Sequence, residues 1–141
     1  GADFILLPTT TQSRSIELTV EMSQIINKYK MPYAALLVKV DSRKEAAAKN
    51  AIECLEGFGI KVLNAQIPLL SAFEQAESEG VTVDQATDKR GRSNPLRMAG
   101  WSSYCSACKE IEDLYEEHKK LNPIQSPIGW DFTPMEQRIA A

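Results

Sequence analysis

Three stretches of this chain bring together hydroxyls, a carboxylate, a guanidinium and turn-forming residues: Thr9-Thr10-Thr11, Asp41-Ser42-Arg43, and Pro68 to Ser71. Such side chains can surround a polar ligand, with the charged groups fixing its orientation and helix N-termini offering backbone N–H donors. The same residue types are also ordinary helix caps, so type alone leaves ligand binding and capping both open. Lys89, Arg90, Arg92 and Arg97 form the densest basic cluster and are the candidate contacts to a DNA phosphate backbone, the other reading being a solvated polar loop.

Other chemistries lack their parts. Neither G-x-x-x-x-G-K-[ST] nor G-x-G-x-x-G occurs, and none of the seven glycines precedes a lysine, so the chain cannot cradle a triphosphate in the usual way. Cys105 and Cys108 have C-x-x-C spacing inside a helical pattern, without the two further ligands of a zinc site or the strand-to-helix context of a redox motif. They read as core or boundary cysteines. The single histidine, His118, falls near the end of a helical pattern, where its cation favours the helix dipole, and a Ser-His-Asp hydrolase has no support.

These residues need a scaffold, and the hydrophobic pattern supplies one. A chain of 141 residues with 43% hydrophobic and 25% charged residues is long enough and apolar enough for one domain with a real core. A formal net charge of -3 argues against a wholly basic nucleic-acid binder. Three cysteines and no apolar run near the ~20 residues that span a bilayer predict a cytoplasmic protein with no membrane partner.

The run Phe4 to Pro8 predicts a strand buried on both faces. Apolar residues at Leu18, Met22, Ile25, Ile26 and Tyr29 predict a helix buried along that stripe. Tyr33 to Val40 predicts a second strand, and Ser42 with Glu45 has capping-box spacing for a helix buried at Ala48, Ile52 and Leu55, with Phe58 a further candidate for that face. Ile60 to Asn64 predicts a third strand, and Ser71 with Glu74 a second capping box. Val81 to Val83 reads as a short strand or extended loop, and Asp84 to Pro95 as a polar surface loop. A last helix is expected from about Met98 to Lys120, with Trp101, Tyr104, Cys108, Ile111 and Tyr115 along one face. The alternation predicts an α/β fold, a parallel sheet flanked by helices on both faces, over residues 1–121. Residues 122–141, with Pro123, Pro127 and Pro134, are expected to be an irregular tail.

In their order these motifs resemble the ParA/MinD-type deviant-Walker ATPases, over roughly Ala2 to Glu117. Ala2-Asp3-Phe4-Ile5-Leu6-Leu7-Pro8-Thr9 looks like the strand after the Walker B region. Val38-Lys39-Val40-Asp41-Ser42-Arg43 is similar to the next strand and its ligand-side turn. Ile67-Pro68, followed by Phe73 to Val83, resembles the I-P segment and the E-A-x-x-x-G-x-x-V pattern downstream. The resemblance implies a P-loop NTPase-like fold whose N-terminal P-loop half lies upstream of Gly1, and a parent protein that uses ATP and Mg2+ and works in plasmid or chromosome partitioning. It implies Asp41, Arg43 and Pro68 as base-side contacts. It also implies a nucleotide-dependent homodimer, non-specific DNA and a stimulating partner protein as associates. Tight nucleotide binding and catalysis are not expected of this chain alone. The apolar turn Ile67 to Leu70 departs from DNA-binding members, which often carry basic residues there. Without the missing half, Phe4 to Leu7 is expected to pair with another chain through an open edge. The alternative from another class is a free-standing α/β interaction module.

Overall fold

The computed structural model describes residues 2–122, so the expectation for the tail lies outside the described residues. Strand β1 (Ile5–Thr9) leads into helix α1 (Ser13–Lys28) and strand β2 (Tyr33–Leu37). Helix α2 (Glu45–Gly57), helix α3 (Ser71–Glu79) and the long helix α4 (Arg97–Leu121) follow, with a 3-10 turn at Val83–Gln85. The two strands run parallel, with Ile5 opposite Tyr33 and Thr9 opposite Leu37. This is an α/β fold.

The predicted third strand is present only as fragments. Ala35 pairs with Val62 and Val40 with Pro68, both in the parallel sense, as isolated bridges. Between them the Asn64 and Ala65 N–H groups donate to the Glu110 carboxylate instead of to a strand. A side chain from α4 thus replaces the ladder where the chain bends away from β2.

β2 is the centre of the molecule, because its alternate residues feed two cores. Ala35 and Leu37 pack with Ala48, Ala51 and Leu55 of α2, joined by Ile16 and Val20 of α1. Ala34 and Leu36 pack on the opposite face with Leu63, Ile67 and Ala107, joined by Ile111 and Leu114 of α4. Period-two alternation with both faces covered makes β2 read as a continuous apolar run.

Two predicted helix faces are corrected. In α1 the buried residues are Thr19, Ser23 and Ile26, while Leu18, Met22 and Ile25 stand nearly half exposed and Tyr29 is 74% exposed. Small polar side chains let α1 approach the sheet closely, and their hydroxyls are satisfied there. Thr19 shares a 2.8 Å hydrogen bond with Thr9 and donates to Ser15 O, and Ser23 donates to Val20 O. Paired in this way they escape the penalty of buried polar groups. In α4, Gly100 and Ala107 are buried, whereas Trp101, Tyr104 and Cys108 are exposed. A Cβ at Gly100 would lie 2.9 Å from the Phe73 ring and 3.0 Å from Val83, so small residues mark where α4 touches α3 and the 3-10 turn, and the aromatics stand on its shoulders.

Neither capping box forms. The N-caps of α2 and α3 are Lys44 and Leu70, and neither helix has a side-chain cap. α3 ends at Gly80, whose φ of 68° is the left-handed conformation that glycine adopts without strain. The polar loop is tied by an antiparallel bridge between Thr87 and Ser93, and Val81 is in no strand.

Candidate functional site

The carboxyl end of the sheet is where an open parallel sheet usually holds a ligand. Just past β2, Val40 N donates to Ile67 O at 3.1 Å and Leu69 N donates to Val40 O at 2.8 Å. This bridge sets the turn after β2 directly against the Ile67-Pro68 segment. Lys39 between them has φ 54°, a left-handed conformation uncommon outside glycine, Asn and Asp. That reversal swings the chain from hydrogen bonding with β1 at Val38 to hydrogen bonding with Ile67 at Val40. Backbone strain of this kind clusters at functional sites.

Two cavities flank the bridge. One of about 490 Å3 is lined by Lys39, Pro68, Leu69, Phe73, Glu77 and Tyr104. Its walls are largely apolar, and Phe73 and Tyr104 meet edge to face at 5.6 Å. The other, of about 810 Å3, runs along α2 and is lined by Asp41, Ser42, Glu45, Lys49, Glu53 and Gln66. Asp41 and Pro68, expected to share one site, therefore line different cavities, with Val40 between them.

Asp41 is committed to Arg43. Its Oδ1 accepts from both the backbone N and Nε of Arg43, and its Oδ2 from Nη2, each at 3.0 Å. The Arg43 side chain, then its backbone N–H, hold the Asp41 carboxyl down at about 2, against an ordinary value of 3.8. A depressed carboxylate adds stability that is present above the unfolded value of 3.8 and is lost as pH falls through about 2. Arg43→Ala should return the Asp41 titration toward 3.8, measured by carboxyl carbon NMR against pH; an unchanged titration would show that other groups hold it down.

The remaining candidates separate. Thr9 is fully buried with its hydroxyl bonded inside the fold, and the Thr10 N–H donates to Ser15 Oγ at 2.9 Å, so these residues position α1. Arg92 pairs with Asp88 at 3.1 Å and Arg97 Nη1 donates to Asn94 O at 3.4 Å. Hydrogen bonds from the backbone N–H of Arg92, then that of Arg90, depress the Asp88 carboxyl and keep a negative charge inside the basic loop. Lys89 and Arg90 are exposed and make no ion pair among the described residues. Half of the predicted cationic cluster is thus engaged locally. Cys54, Cys105 and Cys108 are all exposed free thiols, which corrects the expectation that the last two pack in or at the edge of the core. His118 lies in the last turn of α4, where its carbonyl accepts from the Asn122 N–H at 2.9 Å.

No group of three or more His, Cys, Asp or Glu side chains among the described residues could hold a metal ion. Nor is any helix among them long and apolar enough to cross a membrane. The residues that reasoning from sequence missed are Lys39, Phe73, Glu77 and Tyr104, which join Pro68 around one cavity. Lys39 falls inside the run Tyr33 to Val40 expected as a strand and carries no signal of its own in the sequence, and the approach of Tyr104 depends on how α4 packs.

No protein-family model matches the chain. Comparison with curated proteins likewise finds no significant similarity.

Proposed function

We propose that this chain carries the base-side part of a nucleotide site of the ParA/MinD type, in a parent ATPase that partitions plasmid or chromosomal DNA. The observation that carries this reading is the Val40–Pro68 bridge, which sets the turn after β2 and the Ile67-Pro68 segment beside one cavity at the carboxyl end of the sheet. A cavity of about 490 Å3 falls within the range of small-molecule sites, and its chemistry suits a purine. Pro68, Leu69 and Phe73 offer apolar surface to a planar ring, and Glu74 and Glu77 offer carboxylate acceptors to an exocyclic amine. Lys39 at the same mouth would face the phosphate side. Asp41 and Arg43, braced against each other, stiffen the turn instead of contacting the base.

The described residues fit the base but not a magnesium triphosphate. They hold neither a phosphate-binding glycine loop nor an acidic metal cluster, so no hydrolytic step is assigned to this chain. Phosphate and Mg2+ contacts, ATP-dependent dimerisation and stimulation by a partner protein belong to the proposed parent. DNA contact would rest on Lys89 and Arg90, with Arg92 and Arg97 behind them. The second reading, an interaction module without nucleotide chemistry, is favoured by the exposure of Leu69 and Tyr104 around the same cavity.

Isothermal titration with ATP and Mg2+ separates the two. The 141-residue chain should give no tight binding, and a protein extended upstream in the same reading frame should bind and hydrolyse ATP. Absence of binding in both would sink the ATPase reading and leave the interaction module.

A further inference from the structure

The exposed residues of α1 are not scattered. Leu18, Met22, Ile25 and Tyr29 are spaced by four, three and four residues, the a/d spacing of a coiled-coil seam, and all four are exposed. Ile16 and Val20, on a different face of the helix, pack into the core with α2. The seam therefore lies on the flank of α1 away from α2, on the side of the open edge of β1.

That edge is a poor site for strand addition. Ile5 N donates to Pro32 O and Thr9 O accepts from Val38 N, so Ile5, Leu7 and Thr9 bond to β2, and Leu6 and Pro8 present their backbone outward. Pro8 has no N–H, which leaves Leu6 as the one outward donor of the strand. A helix seam above a blunted edge favours helix-to-helix pairing over the sheet extension expected from sequence.

The charges beside the seam identify the occupant. Antiparallel pairing of two α1 helices about a two-fold axis between Met22 and Ile25 places Met22 against Ile25 of the second copy, and Leu18 against Tyr29. In that register Glu21 of each copy flanks the seam beside Lys28 of the other, giving two opposite-charge contacts by symmetry. In a parallel in-register pair, Glu21 would instead lie beside Ile26 of the second copy, which carries no charge, and that complementarity would be lost. Neither Glu21 nor Lys28 makes an ion pair within its own chain among the described residues. We infer that two copies of this chain associate through α1, antiparallel, with Leu18, Met22, Ile25 and Tyr29 as the seam and Glu21–Lys28 pairs fixing the register.

This pairing does not rest on the nucleotide reading and requires no ATP. A seam of two heptads is short, so association is expected in the micromolar range, and sedimentation equilibrium from about 10 µM to about 1 mM covers it. The 141-residue chain should follow a monomer–dimer equilibrium without nucleotide, and Met22→Glu should abolish it. Glu21→Lys should weaken association about tenfold through its two affected pairs, and Glu21→Lys combined with Lys28→Glu should restore it. Circular dichroism of each variant confirms that α1 remains folded. A monomer throughout the range, a dimer indifferent to Met22→Glu, or a double swap that fails to recover would each overturn the inference. A dimer that recovers on the double swap supports it, whatever the nucleotide titration gives.

Discussion

Replacing Leu37 with alanine should lower the stability of the fold by about 3 kcal/mol. Leu37 is fully buried in the central strand and packs with the cluster of Ala48, Ala51 and Leu55 between the sheet and α2. Small alanines dominate that face of α2, so the neighbours have little side chain with which to fill a void. The lost transfer energy therefore adds to a cavity that collapses poorly. For a domain of this size the change corresponds to a fall of about 10 °C in Tm, readable by calorimetry. A fall of only one or two degrees would mean that α2 closes onto β2 and that the core is less tightly specified than its burial implies.

Glu110→Ala should destabilise by about 2 kcal/mol, because it removes two hydrogen bonds to a carboxylate at one stroke. Glu110 receives the Asn64 N–H at 2.8 Å and the Ala65 N–H through its other oxygen, and it is the link between α4 and the segment that breaks away from β2. Partial exposure lets water replace part of this, which keeps the figure below that of two fully buried charged hydrogen bonds. The stronger signature is local: hydrogen exchange at Asn64 and Ala65 should accelerate more than exchange in β2. Uniform acceleration over the whole chain would instead mean that Glu110 acts only on global stability.

Much of the architecture was readable in the residue pattern, and the failures share one cause. β2 was legible because a strand covered on both faces is an unbroken apolar run, and Tyr33 to Val38 is one, although the strand itself ends at Leu37, short of the Val40 expected. Helix positions were legible from their periodicity, but not the faces they bury. In α1 the apolar stripe through Leu18 and Met22 competed with a stripe of Thr19 and Ser23, and the second is buried because Thr9, Ser15 and Val20 satisfy its hydroxyls. In α4 the deciding residues are Gly100 and Ala107, whose lack of bulk permits close approach and is silent on any hydrophobicity scale. The third strand failed for a reason no local pattern carries, since the competing acceptor, Glu110, lies more than forty residues away.

The candidate site was half legible. Pro68 was named and lines the cavity beside the bridge. Asp41 and Arg43 were named for their charges, and those charges satisfy each other. Lys39 was overlooked because its significance is conformational: only the left-handed backbone at φ 54° marks it out from other surface lysines.

The base-side site is tested most directly by an amide NMR titration of the 141-residue chain with adenosine, taken to about 10 mM because a half-site without phosphate contacts binds weakly. Saturable shifts should gather at Val38, Lys39, Ile67, Leu69, Phe73 and Tyr104, the residues around the Pro68 cavity, and should diminish in a Tyr104→Ala variant. An absence of shifts, or shifts centred on Asp41, Ser42 and Lys49 along α2, would contradict the assignment of the nucleotide base to that cavity.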